Sequence, residues 1–583
     1  MNQYIQKTMK NYILTCIALF IGISSFCQVQ DKISEEVKEN IKKRVENGIN
    51  TGIVVGLITP QGTTYYSYGV KSLETNAPVD ENSVFEIGSI SKTFTGILLA
   101  DMVVKGDLKL DDPLQNLLPD GITAPTRNGE SIKLFHLSNH TSALPRLPDN
   151  MTITNPGNPY AAYTEKHLYD FLNGYELTRD IGSQYEYSNY AVGLLGHVLA
   201  SKRDLTYEEL MIKVIAKPLG MENTSVAFTD QMKKNLAMGH SNGLEVENWD
   251  LPTVAGAGAI RSTAVDMLKY LAANMGLEKS DLYAAMQLSH KNSGGKDSNP
   301  IVGLGWHTTV NDGVEIIWHN GGTGGYRTFS GFTKDGSMGV VVLSNSDAGV
   351  DDIGIHLLQP TAALITPKAS IATKLKSIYD SEGVEAATKA YWDLKRTQKK
   401  EIDFSENLLN SLGYSYLEKG EIEKAISVFG LNVEAYPNSS NVYDSYGEAL
   451  LKSGDKEKAI ENYSKSVALN PGNEGGIKVL KELGVSTDNL IKEIKIDDSL
   501  LQSYVGNYEL APGFVITITK EGSQMKGQAT GQGQFDIFPK SENEFYLKAV
   551  VAQVTFNKND DGEVESLTLW QGGQKNTGLK LKE

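Results

Sequence analysis

Ser89 and Lys92, three residues apart in VFEIGSISKTFTG (84–96), are a pair whose types and spacing could do chemistry. A serine hydroxyl becomes a nucleophile when a nearby base takes its proton, and a lysine can be that base once burial lowers its pKa. Ser89 follows Gly88 and stands at the mouth of an apolar run, Thr93 to Val104, that reads as a helix. In a helix's first turn the Oγ lies near unpaired N–H groups and the positive helix end, a setting that favours a developing alkoxide. Lys92, at i+3, falls on the same face one turn on. The spacing alone decides little, because Ser453-Gly454-Asp455-Lys456 repeats it. Context and co-occurring groups have to separate the two.

Two further clusters supply that context. EYSNYAVGLLGHVL (186–199) places Tyr187 and Asn189 just before an apolar helix, and WHNGGTGGYRTF (318–329) places His319, Asn320, Gly321 and Gly322 where a strand opens. Tyr436-Pro437-Asn438 mimics the first of these but marks the end of a repeat unit. With Phe85-Glu86-Ile87-Gly88-Ser89-Ile90-Ser91-Lys92, the three elements resemble the signatures of class C β-lactamases and the related serine D-alanyl-D-alanine carboxypeptidases and esterases. Flanking stretches are similar to that family too: LSNHTSALP (137–145), AGAGAIRSTAVDM (255–267) and GLGW (303–306). The resemblance covers about residues 35 to 350.

The resemblance implies roles. Ser89 is then the acylated nucleophile, and Lys92 and Tyr187 share its proton and later activate water, with the base between them left open. Asn189 orients the substrate amide or Lys92. Backbone N–H groups of Ser89 and Gly322 form an oxyanion hole, next to the His319-Asn320-Gly321 triplet, and His319, Gly321 and Gly322 line the substrate. His319 departs from the lysine usual in the β-lactamases. A histidine is mostly neutral at pH 7 and holds a substrate carboxylate less firmly. This points toward a D-amino-acid peptidase or an esterase. Arg327, on the following strand, is a second cation near the motif, either a replacement anchor or a solvated surface arginine.

Competing chemistries find less support. His136 and His140 have the i, i+4 spacing of a metal pair, but the HExxH glutamate is missing. No phosphate-cradling or dinucleotide-binding glycine loop occurs. The reading assigns no metal and no cofactor.

The 583 residues exceed one ordinary domain. A formal charge of −16 argues against nucleic acid as a partner, since phosphate needs a basic face. Residues 1–27 combine Lys7 and Lys10, an apolar run Tyr12 to Ile23 and a small-residue site before Cys27, the pattern of a cleaved secretory signal. The run is shorter than the roughly 20 residues a membrane span needs. Phe26 disfavours lipid anchoring at Cys27. Cys16 and Cys27 are the only cysteines, so the mature chain holds no disulfide, thiol nucleophile or thiolate metal site.

Residues 28–365 mix strands and helices: GIVVGLI (52–58) reads as a buried strand turning at Gln61-Gly62, and GVVVL (339–343) as another. Residues 366–490 are helical and periodic. EKGEIEKAISVF from Glu418 recurs as KSGDKEKAIENY from Lys452, and Gly413/Gly447, Ala425/Ala459 and Pro437/Pro471 are each 34 residues apart, resembling tetratricopeptide repeats. SEGVEAATKAYWDLK from Ser381 reads as a degenerate extra repeat. Two repeats are marginal alone, so they are expected to pack on their neighbours. Residues 491–583 alternate as short strands with an Asp561-Gly562 hairpin, a small barrel or sandwich; YVGNYEL (504–510) is similar to the β domain appended to serine hydrolases of this kind.

The expected protein is therefore multidomain: an α/β β-lactamase/transpeptidase-like domain with an antiparallel sheet flanked by helices and a helical subdomain, a helical repeat segment, then a small all-β domain. Its expected activity is acyl-enzyme hydrolysis of a peptide, ester or β-lactam carbonyl in the periplasm, on a small or peptidoglycan-derived substrate. The repeats could engage a protein or peptide partner, or brace the molecule. The competing class is a sensor that binds penicillins or muropeptides by acylation without efficient turnover.

Overall fold

The computed structural model describes residues 33–581 apart from 242, 294–299, 488–489, 491–494, 512–513, 531, 549, 551, 560 and 572–573. The expected signal segment, with Cys16 and Cys27, lies outside the described residues.

The first unit is built on seven antiparallel strands. Helix α1 (Glu35–Glu46) precedes β1 (Gly52–Thr59) and β2 (Gly62–Gly69). Helices α2 (Ser91–Val104), α3 (Asn189–Ser201) and α4 (Ala264–Met275) follow, then β3 (Ile301–Val302), β4 (His307–Asn311), β5 (Val314–Gly322), β6 (Arg327–Thr333), β7 (Gly339–Ser344) and α5 (Asp351–Leu358). The sheet order is β2-β1-β7-β6-β5-β4-β3. GIVVGLI is apolar at every position because both sheet faces are covered. Val54 and Ile58 share a core with Leu268 and Leu271 of α4 and with most of α2. Ile53, Val55 and Leu57, pointing the other way, pack with Val37 and Ile41 of α1 and Ile353 and Leu357 of α5. Ser34 caps α1 by accepting from the Val37 N–H at 3.3 Å, and Arg44 ties α1 to α5 through Asp352 at 2.5 Å.

Helix α2 is buried on nearly all sides, Lys92 included. An all-round buried helix is a rigid central post. It holds Ser89 against the end of β5, an interior strand, through a single 3-10 turn, Gly88–Ile90.

The repeat segment continues as α6 (Ile371–Ser381), α7 (Val384–Thr397), α8 (Glu406–Glu418), α9 (Ile422–Ala435), α10 (Ser440–Ser453), α11 (Lys456–Leu469) and α12 (Glu474–Glu482). The 34-residue period has a steric cause. A Cβ at Gly413 would stand 2.5 Å from Phe429, and one at Gly447 would stand 3.0 Å from Tyr463, so each glycine lets the next helix close in. The stretch from Ser381 forms one helix, α7, whose partner α6 starts ten residues earlier. The two share a core with α8, α9 and α10 through Leu375, Tyr379, Tyr391, Leu409 and Phe429.

The C-terminal unit is a closed eight-stranded barrel: β8 (Gly506–Ala511), β9 (Phe514–Glu521), β10 (Gln524–Ala529), β11 (Phe535–Pro539), β12 (Glu544–Leu547), β13 (Ala552–Lys558), β14 (Val564–Gln571) and β15 (Gln574–Lys580). Tyr508 pairs with Lys580 and closes first strand on last. Its interior is Tyr504, Tyr508, Phe545 and Phe556 with Ile516, Ile518 and Ile537. The units touch. Gln553 Nε2 donates to the Leu469 carbonyl at 3.0 Å, a Cβ at Gly48 would stand 3.0 Å from Thr373 Oγ1 of α6, and a Cβ at Gly533 would stand 3.2 Å from Glu186 Oε1.

Candidate active site

Ser89 reaches solvent because the chain bends sharply just before it. Gly88 has φ +52°, a left-handed conformation that costs glycine little. A Cβ there would stand 2.7 Å from the Gly322 nitrogen, and one at Gly321 would stand 2.0 Å from the Ile87 carbonyl oxygen. Paired glycines thus let the end of β5 lie directly against the Ser89 turn. Thr328 of β6 fixes the contact by donating to the Ile87 carbonyl at 3.0 Å.

Lys92 Nζ lies 2.9 Å from Ser89 Oγ and donates to the Ala257 carbonyl at 2.6 Å. Burial, with a smaller contribution from the Arg146 charge, holds its pKa well below the ordinary lysine value. Tyr187 stands over the pair, its ring centroid 4.8 Å from Lys92 Nζ and its phenol hydrogen-bonded to the Ser89 side chain. Burial pushes the phenol pKa up, a rise moderated by the Ser89 hydrogen bond and by Arg146. Burial therefore favours the uncharged form of each partner.

The remaining expected residues divide. His319 is buried beside Tyr187, ring centroids 6.2 Å apart, and its Nδ1–H donates to the Asn320 carbonyl at 2.5 Å. Desolvation holds it well below its ordinary pKa, so the ring is neutral. Asn189 opens α3, but Ser188 caps that helix, accepting from the Ala191 N–H at 2.9 Å. The Asn189 amide nitrogen donates instead to the Tyr160 hydroxyl at 3.3 Å. Arg327 is engaged by carbonyls, donating from Nη1 to Thr323 and Tyr326, both at 2.8 Å.

Sequence reasoning missed three contributors. His140, weighed only as a metal ligand with His136, stacks 4.4 Å from Tyr187. Its own φ of +64° aims the ring so that Nδ1 accepts from the Ser188 N–H at 3.1 Å. His307 lies 5.1 Å from His319 and shares a 3.0 Å hydrogen bond with the Tyr185 hydroxyl; burial pushes its pKa down to about 4. Arg146 places its guanidinium 5.1 Å from the Tyr187 ring. His140 lies within the LSNHTSALP stretch and Arg146 directly follows it, and the spacing of the two gave no hint of a site. Among the described residues no group of three or more His, Cys, Asp or Glu is placed to hold a metal ion.

A serine beside a buried lysine and a tyrosine, between a glycine-edged strand and a central helix, is an arrangement able to carry out acyl transfer. Residues 37–359 match the Beta-lactamase family, over half of the chain, and the chain belongs to it. The repeat segment matches the tetratricopeptide repeat over 440–473, and 491–578 match a domain of unknown function (DUF3471). A β-lactamase of Escherichia coli (strain K12) is 26% identical over 49% of this chain and 82% of its own length. The D-alanyl-D-alanine-carboxypeptidase/endopeptidase AmpH of the same strain is 28% identical over 50% of this chain and 81% of its own. A solved class C β-lactamase, 22% identical, shares the fold with a TM-score of 0.51 over 58% of this chain and 99% of its own. The chain is an enzyme of the serine-hydrolase type.

Proposed function

We propose that this protein is an exported serine hydrolase that forms an acyl-enzyme on Ser89 and acts as a D-alanyl peptidase or esterase rather than as an efficient β-lactamase. The observation that carries this is the 2.9 Å approach of a buried Lys92 amine to Ser89 Oγ beneath the Tyr187 phenol. In the first half-reaction Ser89 Oγ attacks the substrate carbonyl carbon as its proton passes to the Lys92 amine. The directions of the two pKa shifts favour Lys92 as base and Tyr187 as the phenol that relays a proton to the leaving group. Backbone N–H groups of Ser89 and Gly322 receive the oxyanion, and one such donor is commonly worth about 3 kcal/mol. Water then attacks the ester, with the same groups moving the proton back. Asn189 and His319 are assigned to the substrate, as the family resemblance implies.

The neutral, buried His319 argues against β-lactamase efficiency, because it supplies no fixed charge for a β-lactam carboxylate. The likeness to AmpH makes a D-alanyl carbonyl the first substrate class to test. The basic-then-apolar pattern of residues 1–27 supports export to the periplasm, and amino-terminal sequencing of protein from its native host should begin near residue 28.

The test is incubation of the purified protein with a fluorescent penicillin and with p-nitrophenyl acetate, followed by mass spectrometry. The expected result is label on Ser89 and fast ester turnover. Persistent label without turnover of either compound would replace the hydrolase reading with an acylation sensor, and no label would overturn the site.

A further inference from the structure

We propose that Arg146 recognises an anion at the mouth of this cleft, so that the preferred acyl donor carries a carboxylate on the acyl side of its scissile carbonyl. The proposal rests on the reading of Ser89 as nucleophile. It starts from the pairing of arginines in a strongly acidic protein, with 71 Asp and Glu against 55 Lys and Arg. Arg44 bonds Asp352, Arg127 bonds Asp180, Arg179 bonds Glu186, Arg203 bonds Asp107, Arg261 bonds Glu86 and Asp250, and Arg396 bonds Asp393. Arg327 is spent on two carbonyls. Among the described residues, Arg146 alone of the arginines has neither a carboxylate within 4.0 Å nor a hydrogen bond from its guanidinium. An acidic chain offers many partners to a surface arginine, and this one is held away from them.

What holds it is the backbone. The Arg146 carbonyl accepts from the Asn189 N–H at 3.0 Å and the Tyr190 N–H at 3.3 Å, and the Pro145 carbonyl accepts from Ser188 Oγ at 2.6 Å. Residue 146 is thereby fixed to the start of α3, and its exposed side chain lies over the Tyr187 ring with Cζ 5.1 Å from the centroid. An aromatic face positions a guanidinium while leaving its five N–H donors open, the fork that binds carboxylate bidentately.

The other basic groups of the cleft leave that role vacant. Lys92 is buried, with Nζ engaged by Ser89 and Ala257, and His140, His307 and His319 are desolvated rings. Arg146 is tied through its carbonyl to Asn189, and its charge is felt by the Tyr160 phenol. There Asn189, Tyr160 and Trp249 form a continuous wall, with Asn189 bonded to Tyr160 and the two aromatic rings 5.5 Å apart. A chain that stays on Ser89 after the leaving group departs runs along this wall toward Arg146.

The experiment compares p-nitrophenyl hexanoate with the p-nitrophenyl monoester of adipic acid, the same chain length ending in a carboxylate, and with m-carboxyphenyl hexanoate, which carries the charge on the leaving group. Wild type should prefer the adipate ester by about tenfold or more in kcat/KM, as a charge-assisted bidentate contact implies. Arg146→Gln should bring that ratio near one and Arg146→Lys should keep part of it. Because Arg146 also lies on Tyr187, turnover of the neutral ester falls in the variant too, so the ratio is the quantity read. A ratio unchanged in Arg146→Gln, or a preference that follows the leaving-group carboxylate, overturns the proposal. Equilibrium binding of adipic acid monoamide against hexanamide, to wild type and Arg146→Gln, reads the same contact without chemistry. If no ester is turned over, the hydrolase reading fails. The anion site then stands or falls on whether only wild type binds the charged amide more tightly.

Discussion

Two of the chain's four Ser-x-x-Lys sequences, at 89–92 and 453–456, show what the spacing does and does not specify. At 89–92 a 3-10 turn runs straight into α2, so serine and lysine stay on one face and Nζ comes to 2.9 Å from Oγ. At 453–456 Ser453 ends α10, Gly454 turns left-handed at φ +90°, and Lys456 begins α11, pointing elsewhere. Ser453 Oγ donates back to the Leu450 carbonyl at 2.7 Å, and Lys456 is exposed. Burial completes the difference. The first lysine is stripped of water within the core, while the second stays solvated. Three residues of sequence supply reach only where the backbone between them is helical and the surroundings are dry.

Replacing each serine tests this most severely. Ser89→Ala should lower ester turnover by about a thousandfold or more, the scale on which loss of an acylated nucleophile is measured, and should abolish penicillin labelling. Ser453→Ala should leave both within error. Equal labelling of the two variants would dissolve the distinction.

The lysines come next. Lys92→Met fills the same buried volume without an amine and should cost about a hundredfold to a thousandfold in kcat/KM, whereas Lys456→Met should cost nothing. The pH profile sharpens this. Lys92 acts as base only when neutral, and burial lowers its pKa, so kcat/KM should rise with pH through an inflection well below the ordinary lysine value. The raised Tyr187 pKa keeps the phenol protonated, so the plateau should extend into alkaline solution. An inflection at the value of a solvated lysine would show that Lys92 is not desolvated as its surroundings imply.

These two contrasts indicate what was legible in the sequence. The proximity of Ser89, Lys92 and Tyr187 was readable because each sits in a local motif whose neighbours set its geometry. The both-faces-buried β1 was readable from its unbroken apolar run, and the repeats from a 34-residue period with a glycine at each helix crossing. Arg146, His140 and His307 were not, because they enter from segments far away in sequence, His140 and Arg146 from one loop and His307 from the start of β4. His140 depends on a left-handed φ that no residue pattern announces. Asn189 was readable as a position but not as a contact, since Ser188 took the cap and Tyr160 took the amide. Barrel closure was equally hidden, because it rests on pairing Tyr508 with Lys580 across the whole C-terminal unit.

The desolvated histidines give a smaller effect on stability. His307 has a folded pKa near 4, and His140 and His319 are also depressed, all by burial first; His136, near 4, and His290, near 3, follow the same rule. Between the folded value and the ordinary 6.5, the unfolded chain binds protons that the folded one refuses. Stability should therefore be fully present above about pH 7 and fall on acidification, by up to about 1.4 kcal/mol per pH unit for each such ring. Thermal melts of wild type and His307→Gln from pH 7.5 to 5 should show a shallower loss in the variant. Parallel curves would mean that His307 titrates alike in both states. The repeat segment contributes no histidine to this acid loss, since none occurs between residues 366 and 490.

The smallest effect separates two glycines that look alike by angle. Gly88 and Gly454 both lie at positive φ, +52° and +90°, where an L side chain is strained. A Cβ at Gly454 meets nothing within 4 Å, so Gly454→Ala should cost only the backbone strain, about 1 kcal/mol, and leave turnover unchanged. At Gly88 the same methyl collides with the Gly322 backbone nitrogen at 2.7 Å, and neither the Ser89 turn nor the end of β5 can yield without moving the other. Gly88→Ala should therefore lose activity out of proportion to its change in melting temperature. If the two substitutions instead cost the same stability and both spared turnover, the close packing of Gly88 on Gly322 would be incidental, and the oxyanion hole assigned to Ser89 and Gly322 would lose its structural basis.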